Sequence, residues 1–220
     1  SNATLNINGD LLVDGGSLDA NGGTLSFAPA SSITVQNNGV ITTNESLLTV
    51  GNHETIDLLS GGTLNLLGTV ALSDDASFLL DGGAAVLGNL EINDGLFSFL
   101  AGTLDLAGDF TIDDDLFLTD EMTLNVGGDT DVYGPAELIV AGGTFDANAL
   151  NLFAGSTFEF GESSSVTVDG PVFAAGGALI DAQSTLALGD GAAVNGFYCN
   201  GMLMTGKYGV TVNDANDAVF

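Results

Sequence analysis

The chain has 220 residues, 45 % of them hydrophobic, and 29 acidic residues stand against one Lys or Arg, Lys207, for a formal charge of −28. That balance excludes nucleic acid as a partner, because binding it needs Lys and Arg to neutralise phosphates, and it disfavours anionic membrane surfaces. A lone cysteine, Cys199, excludes an intramolecular disulfide, and no apolar run approaches the roughly 18 residues of a membrane span, so no membrane insertion by this segment is expected.

Ser1-Asn2-Ala3 reads as a scar left after removal of an expression tag. From residue 4 onward the dominant signal is internal repetition. Gly22-Gly23-Thr24-Leu25-Ser26-Phe27 returns as Gly61-Gly62-Thr63-Leu64-Asn65-Leu66, then as Gly102-Thr103-Leu104-Asp105-Leu106. Further copies begin at Met122-Thr123-Leu124, Gly143-Thr144-Phe145, Ser165-Val166 and Ser184-Thr185-Leu186. Thr103 to Thr123 is 20 residues and Thr123 to Thr144 is 21, so the unit is about 20. Irregular copies near Ile41-Thr42-Thr43 and Gly83-Ala84-Ala85-Val86 fill the longer intervals.

Each unit divides into three alternating segments, such as Thr63–Leu66, Thr69–Leu72 and Ser77–Leu80. Alternation of apolar and polar residues is the period of a half-buried strand. Gly, Asp and Asn fall between segments, where corners need positive φ. Three strands per unit, stacked in register, predict an all-β fold: a single-stranded parallel β-helix, or β-solenoid, of about 20 residues per rung over 4–196. It is expected to be right-handed, as parallel crossovers are. A sandwich or barrel leaves the 20-residue return unexplained. Leu64, Leu104, Leu124, Phe145, Val166 and Leu186 are then one inward column, and Leu66, Leu106, Val126, Ala147, Val168 and Leu188 the next. Residues 197–220 depart from the pattern with Phe197-Tyr198-Cys199 and Met202-Leu203-Met204. They read as an atypical cap or a junction to a following domain.

Outward positions supply the candidate sites. Thr63, Thr103, Thr123, Thr144 and Thr185 align in one column, joined by Thr24 and Ser165. This is the candidate ligand-binding surface. Beside it run Ser26, Asn65, Asp105, Asn125, Asp146 and Thr167, where Asn between carboxylates relieves repulsion at strand spacing. Asp113-Asp114-Asp115 is the densest acidic run, at a corner equivalent to that of Asp74-Asp75. Corner carboxylates and carbonyls coordinate Ca²⁺, which makes these three the candidate metal ligands and Ca²⁺ the one cofactor to consider. The nonapeptide of calcium rolls is absent, since Gly127-Gly128-Asp129-Thr130-Asp131 lacks its third glycine.

Catalysis lacks parts. There is no arginine, and His53 is the only histidine, so neither a Ser nor a Cys nucleophile has a ready base. Paired carboxylates acting on a neutral glycan are the remaining enzymatic route. The expectation is a protein without catalytic residues.

The Gly-Gly-Thr-Leu units, such as Ala101-Gly102-Thr103-Leu104-Asp105-Leu106-Ala107-Gly108-Asp109-Phe110-Thr111-Ile112, resemble the repeats of bacterial autotransporter passengers and large surface adhesins over residues 4 to 195. That resemblance implies an extracellular or cell-surface location and a structural or adhesive role. Its partners would be a surface protein of a host or neighbouring cell, or a neutral glycan. A glycan-active β-helix enzyme is the first alternative. A solenoid binding ice or another ordered surface is the second, although ice-binding repeats carry Thr at two positions and here the second varies.

Overall fold

The computed structural model describes residues 4–182 except 21–22, 45–46, 93–94, 162, 171 and 176–177, and beyond them strands at 186–188, 197–199, 202–205, 210–211 and 218–219. No helix forms among these residues. The chain divides into two compact units, Ser1–Ala107 and Gly108–Phe220, where the repeat alone predicts one run.

The first unit holds β1 (Thr4–Ile7), β2 (Asp10–Asp14), β3 (Ser17–Asp19), β4 (Thr24–Phe27), β5 (Ser32–Gln36), β6 (Val40–Thr43), β7 (Leu47–Val50), β8 (Thr55–Leu58), β9 (Thr63–Leu72), β10 (Ser77–Ile92) and β11 (Leu96–Leu106). Every pairing is parallel, and each strand meets a strand about one rung later. On the first side, β1 pairs with β4, and β7 with the end of β9. The second side stacks β2, β5, β8 and the starts of β10 and β11. The third stacks β3, β6, the start of β9, the middle of β10 and the end of β11.

The second unit holds β12 (Phe110–Ile112), β13 (Leu116–Leu118), β14 (Met122–Val132), β15 (Glu137–Val140), β16 (Thr144–Leu152), β17 (Thr157–Phe160), β18 (Ser165–Val168), β19 (Val172–Ala174), β20 (Leu179–Ala182), β21 (Leu186–Leu188), β22 (Phe197–Cys199), β23 (Met202–Thr205), β24 (Val210–Thr211) and β25 (Ala218–Val219). It repeats the three sides. The first is β12, the ends of β14 and β16, then β19 and β22. The second is β13, β15, β17, β20 and β23. The third is the starts of β14 and β16, then β18, β21 and β24. Strands of the segment expected as a cap, β22 to β25, keep the same parallel pairing.

Alternation places the core as expected. Leu64, Leu104, Leu124, Phe145 and Val166 are at most 3 % exposed, and Leu66, Leu106, Val126, Ala147 and Val168 are buried beside them. The side chains of Leu186 and Leu188 lie outside the described residues. Rings lock facing sides of the coil: Phe145 meets Phe158 edge-on at 5.8 Å, and Phe158 lies 5.2 Å from Phe160. Full burial of such side chains contributes about 1.5–3 kcal/mol each.

The register corrects one reading. Thr24 pairs with Thr4 on the first side and donates to its Oγ1 at 2.9 Å; it does not join the Thr63 column. That column runs Ser17, Val40, Thr63, Ala84 and Thr103. Gly15-Gly16-Ser17-Leu18 is the true first copy of the motif, seven residues ahead of the one at 22–25. The irregular copies do belong here, since Ile41 and Ala85 both partner Leu64.

Corners obey two rules. Between the first and second sides, a four-residue turn closes from Glu54 N to Gly51 O, from Ala76 N to Ser73 O, and likewise at Ser31, Ala136, Ser156 and Ala178, at 2.9–3.1 Å or slightly less. The closing residue points inward and is small, except at Glu54, whose carboxylate accepts the Gly51 N–H at 2.8 Å while 4 % exposed. Between the second and third sides the closing residue is glycine at Gly39 and Gly62, where the previous rung presses on it, and Met122 or Ser164 at the equivalent corners of the second unit. A Cβ on Gly62 would overlap the carbonyl oxygen of Val35, whereas one on Gly16, in the first rung, meets nothing within 4 Å.

Two measurements follow from this packing. Gly62→Ala should lower stability by about 1–3 kcal/mol in denaturant melts, as overpacking does, while Gly16→Ala leaves the midpoint nearly unchanged; equal effects would refute the corner argument. Thr130 is fully buried in β14 with its Oγ1 lacking a hydrogen-bond partner. Thr130→Val keeps the shape and removes the orphaned hydroxyl, so the same melts should show a gain of about 1 kcal/mol.

Candidate functional site

On the third side of the second unit, Thr123 and Thr144 are register partners, and Thr144 partners Ser165. Both threonines are half-buried and Ser165 is exposed. In the first unit, Thr63 sits between Val40 and Ala84, and Ala84 separates it from Thr103. The expected threonine surface thus holds the neighbours Thr123 and Thr144 in one unit and is interrupted at Val40 and Ala84 in the other. Thr185 lies outside the described residues, as does Lys207.

The second outward column of this unit runs Asn125, Asp146, Thr167, so Asp146 has an amide and a hydroxyl as its rung neighbours. At the next outward position, past the inward Val126, Ala147 and Val168, stand Gly127, Asn148 and Asp169. Gly127 brings no side chain, and a shallow cleft of about 300 Å³ opens there, lined by Asn125, Val126, Gly127, Asp146, Asn148 and Asp169. Burial, and then the charge of Asp169, hold the Asp146 carboxyl above its ordinary range. The two carboxylates accept hydrogen bonds, and the two carboxamides both donate and accept. The cleft therefore suits a ligand rich in hydroxyls. Repetition points to Asn125 and Asp146, but Asn148 and Asp169 were not foreseen. Their signal was the Gly127-Gly128 pair, read only against calcium rolls.

Asp113, Asp114 and Asp115 are exposed at the corner between β12 and β13. Asp115 Oδ1 accepts the Glu137 N–H of the next rung at 3.0 Å, which makes it a turn cap. Asp74 and Asp75 occupy the same type of corner in the first unit, both in the left-handed region with φ of 49° and 62°. His53 Nδ1 lies 3.8 Å from Asp75 Oδ2, both groups largely in solvent. Among the described residues, no three His, Cys, Asp or Glu side chains converge on a point where a metal ion would be held, and no helix is long and apolar enough to cross a membrane.

Comparison with protein-family models, with curated proteins and with solved structures returns no match. The likeness to autotransporter repeats rests on the repeat residues alone.

Asp146 gives a pH signature. Its folded carboxyl binds a proton more readily than the unfolded one, so its contribution favours the fold below the ordinary carboxylate range and is lost as pH rises through the raised value. Asp146→Asn should raise Tm at pH 7 and change it little at pH 3. A Tm at pH 7 that is unchanged or lower in the variant would contradict the assignment.

Proposed function

We infer that this chain is a non-catalytic structural and adhesive segment of a bacterial surface protein, working outside the cell and meeting a surface protein or a neutral glycan. The observation that carries this reading is how outward polar side chains are used. Thr24 bonds Thr4, Ser32 bonds Asp10, Asn37 bonds Asp14, Asn89 bonds Thr69 and Asn151 bonds Asp131, each across one rung at 2.7–3.3 Å. Groups that would do chemistry in an enzyme instead tie neighbouring rungs together. Such ladders stiffen a coil whose rungs cannot stand alone, and repeated surface elements bind through many weak contacts. The surplus of carboxylates keeps an apolar-rich chain soluble and repels anionic polymers.

A second reading, a glycan-active enzyme, is favoured by one feature: Asp146 and Asp169 share a cleft, and one of them is held protonated more readily than usual. The interrupted threonine column does not favour ice. Incubation with neutral and acidic polysaccharides, with and without Ca²⁺, should yield no new reducing ends. Cleavage that disappears in Asp146→Asn or Asp169→Asn would replace the adhesive reading with the enzymatic one.

A further inference from the structure

The first side of the second unit carries three aromatic rings at outward or corner positions, Tyr133, Phe153 and Phe173. Asp131 of β14, Asn151 of β16 and Phe173 of β19 are register partners along one outward column. Two residues further along their strands, at the corner, Tyr133 and Phe153 stack face to face with centroids 4.2 Å apart and planes 4° from parallel. Phe173 is 40 % exposed and Tyr133 38 %. An exposed apolar group matters when several stand together, and here Phe173 shares one side of one unit with the Tyr133–Phe153 stack. Between the rings, Asn151 Nδ2 donates to Asp131 Oδ1 at 2.7 Å. At the other end of the same short strands, Asn148 opens the polar cleft. Residues from the cleft to the stacked rings span only five strand positions, or about 17 Å.

We propose that this side of the second unit, with the cleft at its edge, binds a neutral polysaccharide laid along the strands, with Phe173 and the Tyr133–Phe153 stack against the apolar faces of its sugars and the Asp131–Asn151 pair and the cleft holding its hydroxyls. This rests on the adhesive reading and names its ligand class. Flat apolar rings set beside a few oriented polar groups are the composition of a site for an amphipathic ring ligand. Carboxylates on the same side repel uronates and phosphates. A basic protein would be served better by the denser carboxylates at Asp113 to Asp115 than by a side where carboxamides alternate with rings.

The test is affinity electrophoresis of the whole chain in gels containing xylan, galactomannan or mixed-linkage β-glucan, with polygalacturonate and polylysine as charged controls. At least one neutral polymer should retard the protein, and Phe173→Ala and Tyr133→Ala should each weaken that retardation about tenfold, equivalent to about 1.4 kcal/mol. Phe117→Ala removes a still more exposed ring (51 %) from the second side of the same unit and should change nothing. Circular dichroism melts establish that each variant is folded; should a ring variant fail to fold, Asn151→Ala serves in its place and should also weaken binding. The proposal is overturned if no neutral polymer retards the chain, if Phe117→Ala weakens binding as much as Phe173→Ala, or if only polygalacturonate or polylysine binds. Such a result leaves the non-catalytic reading standing, because release of reducing ends decides that separately.

Discussion

Parallel stacking of rungs is the constraint from which everything else in this protein descends. Backbone hydrogen bonds hold successive strands less than 5 Å apart, so each side chain lies directly against the residue one turn earlier and one turn later. An inward column is then apolar almost throughout, as Leu124, Phe145 and Val166 are, with Thr43 and Thr130 as buried exceptions in other columns. The constraint is harsher at corners, where backbone meets backbone. Val35 O stands where a side chain of the residue at 62 would begin, so in that rung the second glycine of the Gly-Gly-Thr-Leu motif is a steric necessity of stacking. Gly16, with no rung beneath it in the first unit, has the same sequence context without the same need.

Stacking also explains how so acidic a chain remains folded. Like charges at strand spacing repel, and several outward columns avoid this by alternation, although Glu159 and Asp181 are direct register partners. Asp10 meets Ser32, Asp14 meets Asn37, and Asp131 meets Asn151. Asp146 follows the rule within its own column, between Asn125 and Thr167, and breaks it across columns, where Asp169 adds to the effect of burial in raising its proton affinity. Asp57 reaches a similar state by burial alone.

Much of the architecture was legible in the chain. A triplet of polar flanked by apolar residues, returning every 20 or so positions, fixes strand length, facing and parallel order together, and the buried columns match it from Leu64 to Val168, where their side chains are described. Register in the first rungs was not legible. Gly15-Gly16-Ser17-Leu18 and Gly22-Gly23-Thr24-Leu25 carry the same local signal, and only pairing with Val40 and with Thr4 tells which strand each one starts. The cleft was hidden for a related reason. It depends on a missing side chain at Gly127 coinciding with Asn148 and Asp169 one and two rungs later, a relation between columns that no single repeat contains. Aromatic residues at outward positions were hidden too, because Phe153 and Phe173 look locally like core.

The ladders Thr24–Thr4 and Asn151–Asp131 have a consequence for how such a chain changes over generations. Because every turn is read only by its immediate neighbours, the gain or loss of one whole turn leaves all remaining neighbours in kind, whereas the gain or loss of a single residue reverses inside and outside for the rest of its strand. Length in this architecture is therefore discrete: it is counted in turns, and it can be lengthened by duplication without redesigning the cross-section.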